Sequence, residues 1–243
     1  MWGVAHGTSF GAAADAYEAG RPEYPIDAVA WMLDGTRGTV LDLGAGTGKL
    51  TRGILALGRD VVAVDPDAAM LARLTEALPG VRAEVGTAEA IPLPDASVGA
   101  VVLGQAWHWV DVARASREAA RVLAPGGVLG LIWNVRDERE PWVAALTGAM
   151  HGSVAEGLIA SGGPTVAAPF GALEELRVEW SRPMTRDAIE AMVRSRSYFI
   201  GSDAAGRAEI ETRVAAVLDG LPGLAGGGAV AVPYVTAAFR TKL

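Results

Sequence analysis

The sequence predicts an α/β fold, a mostly parallel sheet with helices on both faces, and three observations predict it. Short apolar runs at 40–43, 60–65, 97–104 and 128–134 alternate with stretches of helical period, the pattern of strands buried on both faces. The first run passes directly into Asp42-Leu43-Gly44-Ala45-Gly46-Thr47-Gly48, a bare-backbone turn that opens an amphipathic segment. At 243 residues the chain can bury a full core as one domain with a modest insertion.

Composition narrows the function classes. A net charge of −7, with Lys49 and Lys242 the only lysines, disfavours nucleic acid as a partner, because phosphate binding needs clustered basic groups. No cysteine is present, which excludes disulfides and thiolate metal sites. The three histidines, His6, His108 and His151, show no ligand spacing, so no metal is expected. Without a signal-type start or a membrane-length apolar run, the expected location is the cytoplasm.

Taken in order, residues 9–20 and 25–34 read as two helices split by Gly20-Arg21-Pro22-Glu23-Tyr24-Pro25. Gly7-Thr8-Ser9-Phe10-Gly11 matches the hydrolase elbow in letters, but that elbow follows a buried strand and only six residues precede this one. The run at 40–43 is the first strand, followed by a helix over 47–57. The run at 60–65 ends on Asp65, at the position where an acidic side chain can accept ribose hydroxyls, while Asp67 is free to cap the next helix. That helix runs to about Leu78, and a third strand lies near 81–85.

The fourth strand, 97–104, delivers Gln105-Ala106-Trp107-His108-Trp109 to the sheet's carboxyl edge, an apolar wall around one titratable group. A helix over 112–123 and the turn Ala124-Pro125-Gly126-Gly127 lead to the fifth strand. Arg136 to Glu140 reads as a solvated charge run. A helix is expected over 141–152, and the alternation at 176–180 and 230–239 gives two more strands, with Pro233 suggesting an edge or a bulge. Helices over 186–197 and 204–219 lie between them.

The glycine spacing decides which ligand class the loop serves. A dinucleotide fingerprint would need glycine where Lys49 stands, and a Walker loop would need it where Leu43 stands. Asp42 at the strand end repels phosphate and welcomes a cation. The motif D-x-G-x-G-x-G resembles that of the class I S-adenosylmethionine-dependent methyltransferases, the type 11 group of small-molecule enzymes.

Three further segments carry the resemblance. Tyr17, Arg21, Pro22, Tyr24 and Pro25 match Y-x-x-x-R-P-x-Y-P. Gly86-Thr87-Ala88-Glu89 resembles G-D-A-E with Thr87 in place of the aspartate, and Arg121-Val122-Leu123-Ala124-Pro125-Gly126-Gly127 matches R-V-L-x-P-G-G.

The resemblance implies a Rossmann-like seven-stranded sheet with an N-terminal helical cover at 9–36, a cofactor-binding core at 37–134, a lid and substrate region at 135–203, and a final helix and strand at 204–243. It implies S-adenosyl-L-methionine as cofactor, S-adenosyl-L-homocysteine as product and a small molecule as acceptor. Cofactor contacts fall on Tyr17, Arg21, Asp42, Gly44, Ala45, Gly46, Asp65, Pro66, Thr87, Ala88 and Gln105. His108 is the candidate base or substrate contact, and Tyr24, Trp107, Trp109 and Tyr198 are candidates for the substrate pocket. The segments 135–170 and 185–203, with Trp142, Arg194, Arg196, Tyr198 and Phe199, either form a lid or pack the sheet. A non-catalytic sensor of the same cofactor and a nicotinamide-dependent reductase stand as alternatives.

Overall fold

Period-two alternation builds the sheet. Leu41, Leu43, Val101, Leu103, Leu129 and Leu131 face one side and share a buried cluster. Their neighbours Val40, Ala100, Val102 and Ile132 face the other. The computed structural model describes residues 21–150 and 152–243. Seven strands, β1 (Val40–Leu43), β2 (Val61–Asp65), β3 (Arg82–Val85), β4 (Val98–Gly104), β5 (Leu123–Arg136), β6 (Glu174–Thr185) and β7 (Ala229–Lys242), lie in the order β3-β2-β1-β4-β5-β7-β6. All pairings among β1 to β5 are parallel, whereas β7 runs antiparallel to both β5 and β6.

Helices cover both faces. On one face, α1 (Ile26–Leu33) and α2 (Lys49–Ala56) set Ala28, Val29, Met32, Leu50 and Ile54 against the sheet. On the other, α4 (Val112–Val122) contributes Ala115, Ala119 and Val122. Between β2 and β3, α3 (Ala68–Ala77) is capped by Asp67, whose carboxylate accepts from the N–H groups of Ala69 and Met70.

A second buried cluster joins the segments after β5. It draws Leu146 and Ala149 from α5 (Pro141–Ala149), Ile189, Met192 and Val193 from α7 (Arg186–Arg194), Phe199 from α8 (Ser197–Gly201), and Ile210, Val214 and Leu218 from α9 (Ala204–Asp219). The expected lid helices therefore share one core with the final helix.

Two local expectations are corrected. Pro233 sits inside β7, which has neighbours on both sides. Pairing with β5 ends at Tyr234, so the missing N–H of Pro233 costs no bond on that side. The Pro125-Gly126-Gly127 turn is absorbed into β5 as an irregularity, where the pairing with β4 shifts between Val98 and Ala100.

Candidate active site

The chain leaves β1 toward β2 and β3 on one side and reaches β4 and β5 on the other, so the carboxyl ends of β1 and β4 diverge around a crevice. The glycine loop forms its floor. A Cβ on Gly44, at φ +74°, would stand 2.8 Å from the Cβ of Ala106, so only glycine lets the loop pass the end of β4. Among the described residues, no atom beyond its chain neighbours lies within 4 Å of where a Cβ on Gly46 would be, leaving its backbone open to close approach.

The loop is held by carboxylates. Asp65 at the end of β2 accepts from the Gly46 N–H and from the Asp67 N–H, each at 2.8 Å. Burial raises its pKa and these backbone bonds oppose the rise. Asp42 is fully buried and accepts from the Thr51 hydroxyl at 2.6 Å through Oδ2. Its Oδ1 is buried with no hydrogen-bond partner among the described residues. Burial, with a smaller contribution from Asp65, pushes the Asp42 carboxyl up to about 7. A cation entering the crevice would meet a carboxyl with one unused oxygen.

Beyond β4 the backbone of Gln105 takes φ +57°, uncommon for a residue with a side chain, while its side-chain N–H donates to the Asn134 carbonyl at 2.8 Å. Trp107 is corrected from the substrate pocket to the core. It is buried, belongs to the main apolar cluster, and donates its indole N–H to the Thr165 carbonyl at 2.8 Å. Trp109 is half-buried, its ring 4.7 Å from that of His108.

His108 receives a hydrogen bond at Nδ1 from the Trp133 indole N–H at 3.3 Å. Burial and the nearby charge of Arg21 lower its pKa to about 4. An imidazole that accepts at Nδ1 and is neutral carries its proton on Nε2. In this geometry Nε2 is the donor of the ring, the form suited to a substrate contact.

The crevice is lined by Arg21, Pro22 and Tyr24 from the segment before α1, by Asp42, Gly44, Ala45, Thr47 and Lys49, by Gly104 and Gln105, and by Asn134, Arg196 and Tyr234. Tyr24 lies over the end of β4 so closely that a Cβ on Gly104 would meet its hydroxyl at 2.6 Å. Pro66 is exposed, Thr87 half-buried and Ala88 buried. These three stand after β2 and β3, beside Asp65 rather than on the lining described above. Tyr17 lies outside the described residues.

Sequence reasoning missed Asn134, Arg136 and Tyr234. Arg136 is a correction: it is buried, not solvated, and pairs with Glu156 in α6 (Val154–Ala160) at 2.6 Å. Tyr198 stands in the electrostatic reach of Arg196, Arg136 and Glu156, and burial pushes its hydroxyl up to about 12.

The family model described as Methyltransferase domain, of type 11, matches residues 41–131. An uncharacterized methyltransferase of Mycobacterium tuberculosis is 50% identical over 235 residues, spanning 97% of this chain and 96% of that one. A structure from Anaeromyxobacter dehalogenans, assigned as a type II methyltransferase, superposes with a TM-score of 0.59 at 27% identity, covering 91% of this chain and 97% of that one. The phosphoethanolamine N-methyltransferase 2 of Haemonchus contortus, solved with S-adenosylhomocysteine, shares the fold at a TM-score of 0.51 and 17% identity, covering 96% of this chain and 57% of that one.

Sheet order, glycine loop and relatives define a class I S-adenosylmethionine-dependent methyltransferase. The chain belongs to the type 11 methyltransferase domain family, and its cofactor is S-adenosyl-L-methionine. Among the described residues, no helix is long and apolar enough to cross a membrane.

Proposed function

We propose that the chain transfers the cofactor's methyl group to a small-molecule acceptor bound at the carboxyl ends of β1, β4 and β5. The observation that carries this reading is the crevice that Asp42 and Gly44 line together with Arg21, Pro22 and Tyr24, a shape suited to a compact ligand rather than a polymer strand. The chain's net charge of −7 points the same way. A cysteine-free chain suits the reducing cytoplasm.

The residues fit the cofactor. The unpartnered Oδ1 of Asp42 suits an ammonium, the open backbone at Gly46 suits close approach, and each Asp65 oxygen keeps a lone pair for a ribose hydroxyl beyond its backbone bond. Pro66, Thr87 and the Ala88 backbone suit the adenine, and Gln105 the middle of the ligand. Arg21 suits the carboxylate.

The bound sulfonium supplies an already activated methyl carbon. The protein's work is therefore placement, which can be worth about 7–11 kcal/mol, against roughly 3–5 kcal/mol for a general base. Gly44 and Ala106 fix the loop against β4 and Tyr24 closes over Gly104, while His108, held by Trp133 beyond the end of β4, is a donor to any acceptor oxygen that reaches its Nε2.

Incubation with methyl-labelled cofactor and a cell extract should place label in the low-mass filtrate. Label confined to protein or nucleic acid would overturn the small-molecule reading.

A further inference from the structure

Arg196 lines the crevice, and within its electrostatic reach Arg136 and Glu156 line a second cavity together with Thr147 and Ser153. Glu156 gives Oε1 to Arg136 at 2.6 Å and Oε2 to the Ser153 N–H and hydroxyl at 2.8 and 3.0 Å, closing a capping box at the start of α6. Arg136, 4% exposed, also donates to the Thr147 hydroxyl from Nε and Nη2, at 3.3 and 3.1 Å. Its Nη1 is buried with no partner among the described residues, and the same is true of the Arg196 Nε and the Tyr198 hydroxyl. An excess of buried positive charge with unfilled donors is costly unless an anion completes it.

We infer that Arg196, on the crevice lining, binds an anionic group of the methyl acceptor, a carboxylate or a phosphate. This rests on the methyl-transfer reading and adds the acceptor's chemical class to it. Arg196 lines the crevice together with Asn134 of β5 and Tyr234 of β7. The carboxylates suited to the cofactor's ammonium and ribose lie on β1 and β2, with β4 in between. A planar guanidinium with free donors matches the two oxygens of a carboxylate or phosphate. Burial, followed by Arg136 and Arg21, brings the Arg196 pKa down to about 10, so it stays charged while an anion would relieve the repulsion. Tyr198, its pKa raised, remains a proton donor.

The test uses the full chain saturated with S-adenosylhomocysteine and titrated calorimetrically with benzoate, phenyl phosphate and the uncharged benzamide. Wild type should bind at least one of the two anions about tenfold more tightly than benzamide, and which anion wins separates carboxylate from phosphate acceptors. Arg196→Met should bring the anions to within about twofold of benzamide, while Arg196→Lys keeps part of the preference. Both variants should bind S-adenosylhomocysteine as wild type does, which also reports that they fold.

Three results would overturn the inference: no anion preference in wild type, a preference that survives Arg196→Met, or loss of S-adenosylhomocysteine binding in Arg196→Met while Arg196→Lys retains it, which would give Arg196 to the cofactor. A wild-type chain that takes no S-adenosylhomocysteine would instead remove the methyl-transfer reading beneath it.

Discussion

On the β1–β2 side of the crevice the buried charges are carboxylates, and on the β5–β7 side they are guanidiniums. Asp42 and Asp65 are buried at strand ends and held by bonds from Thr51, Gly46 and Asp67, all within the β1–β2 unit and the turn that follows it. Arg136 and Arg196 are drawn from β5 and from the connection between α7 and α8, and their one carboxylate comes from α6. The first set is built by neighbours along the β1–β2 turn region. The second exists only once helices from the region after β5 have packed, so its integrity reports on tertiary assembly.

The comparison breaks most sharply at Arg136. Replacing it with Met leaves Glu156 buried beside Arg196 alone, and losing one partner of a buried pair costs about 3–5 kcal/mol. Urea unfolding of Arg136→Met should show a loss of that order, and the double variant with Glu156→Gln should recover most of it. Cofactor affinity should change little. A single-variant loss under about 1 kcal/mol would mean the pair carries little stability and the guanidinium side is no more integral than an exposed rim.

Asp42 sharpens the carboxylate side. Its pKa is raised from 3.8 to about 7 by burial, so the folded state favours the protonated form. The stability this contributes is present below the unfolded value and is lost as pH rises through about 7. Ligand binding has the opposite slope, because an ammonium selects the carboxylate. Affinity for S-adenosylhomocysteine should rise roughly tenfold per unit of pH below the Asp42 pKa and level off above it. Calorimetry below that pKa in two buffers of different ionisation enthalpy should reveal proton release on binding, and Asp42→Asn should abolish it. Identical apparent enthalpies for wild type in both buffers would show that no proton leaves.

The same division explains what could be read from the chain alone. Strands β1, β2, β4 and β5, with the loop between Asp42 and Gly48, were legible because buried parallel strands are apolar runs and a tight ligand turn needs its glycines in fixed places. Asp67 as the helix cap, leaving Asp65 for another role, followed from local spacing. Arg136 was misread because its neighbours Asp137 to Glu140 are charged, whereas its partner Glu156 lies twenty positions on, in α6. Trp107 and Trp109 look equivalent in sequence, yet a single 3₁₀ turn sends the first into the core and leaves the second half-buried. No periodicity encodes which way such a turn points.

His108 belongs to neither side, and its effect should be the smallest. It stands at the end of β4 between the two charge sets, and burial together with Arg21 holds its pKa at about 4. It is therefore neutral throughout the range in which most methyl acceptors are assayed. With Nδ1 occupied by the Trp133 indole, Nε2 carries the proton, an arrangement suited to steadying an acceptor oxygen rather than deprotonating it. His108→Gln, which keeps a side-chain N–H donor, should lower kcat by only a few fold and leave cofactor affinity unchanged. The pH–rate profile of wild type should lack any limb near the ordinary histidine value of about 6.5. A base would behave otherwise: His108→Gln would then lose about a hundredfold or more, and wild type would show an acid limb that the variant lacks. That outcome would require the imidazole to leave Trp133 when the acceptor binds, and a Trp133→Phe variant, freeing Nδ1 in advance, would then raise the histidine's pKa and shift the same limb upward.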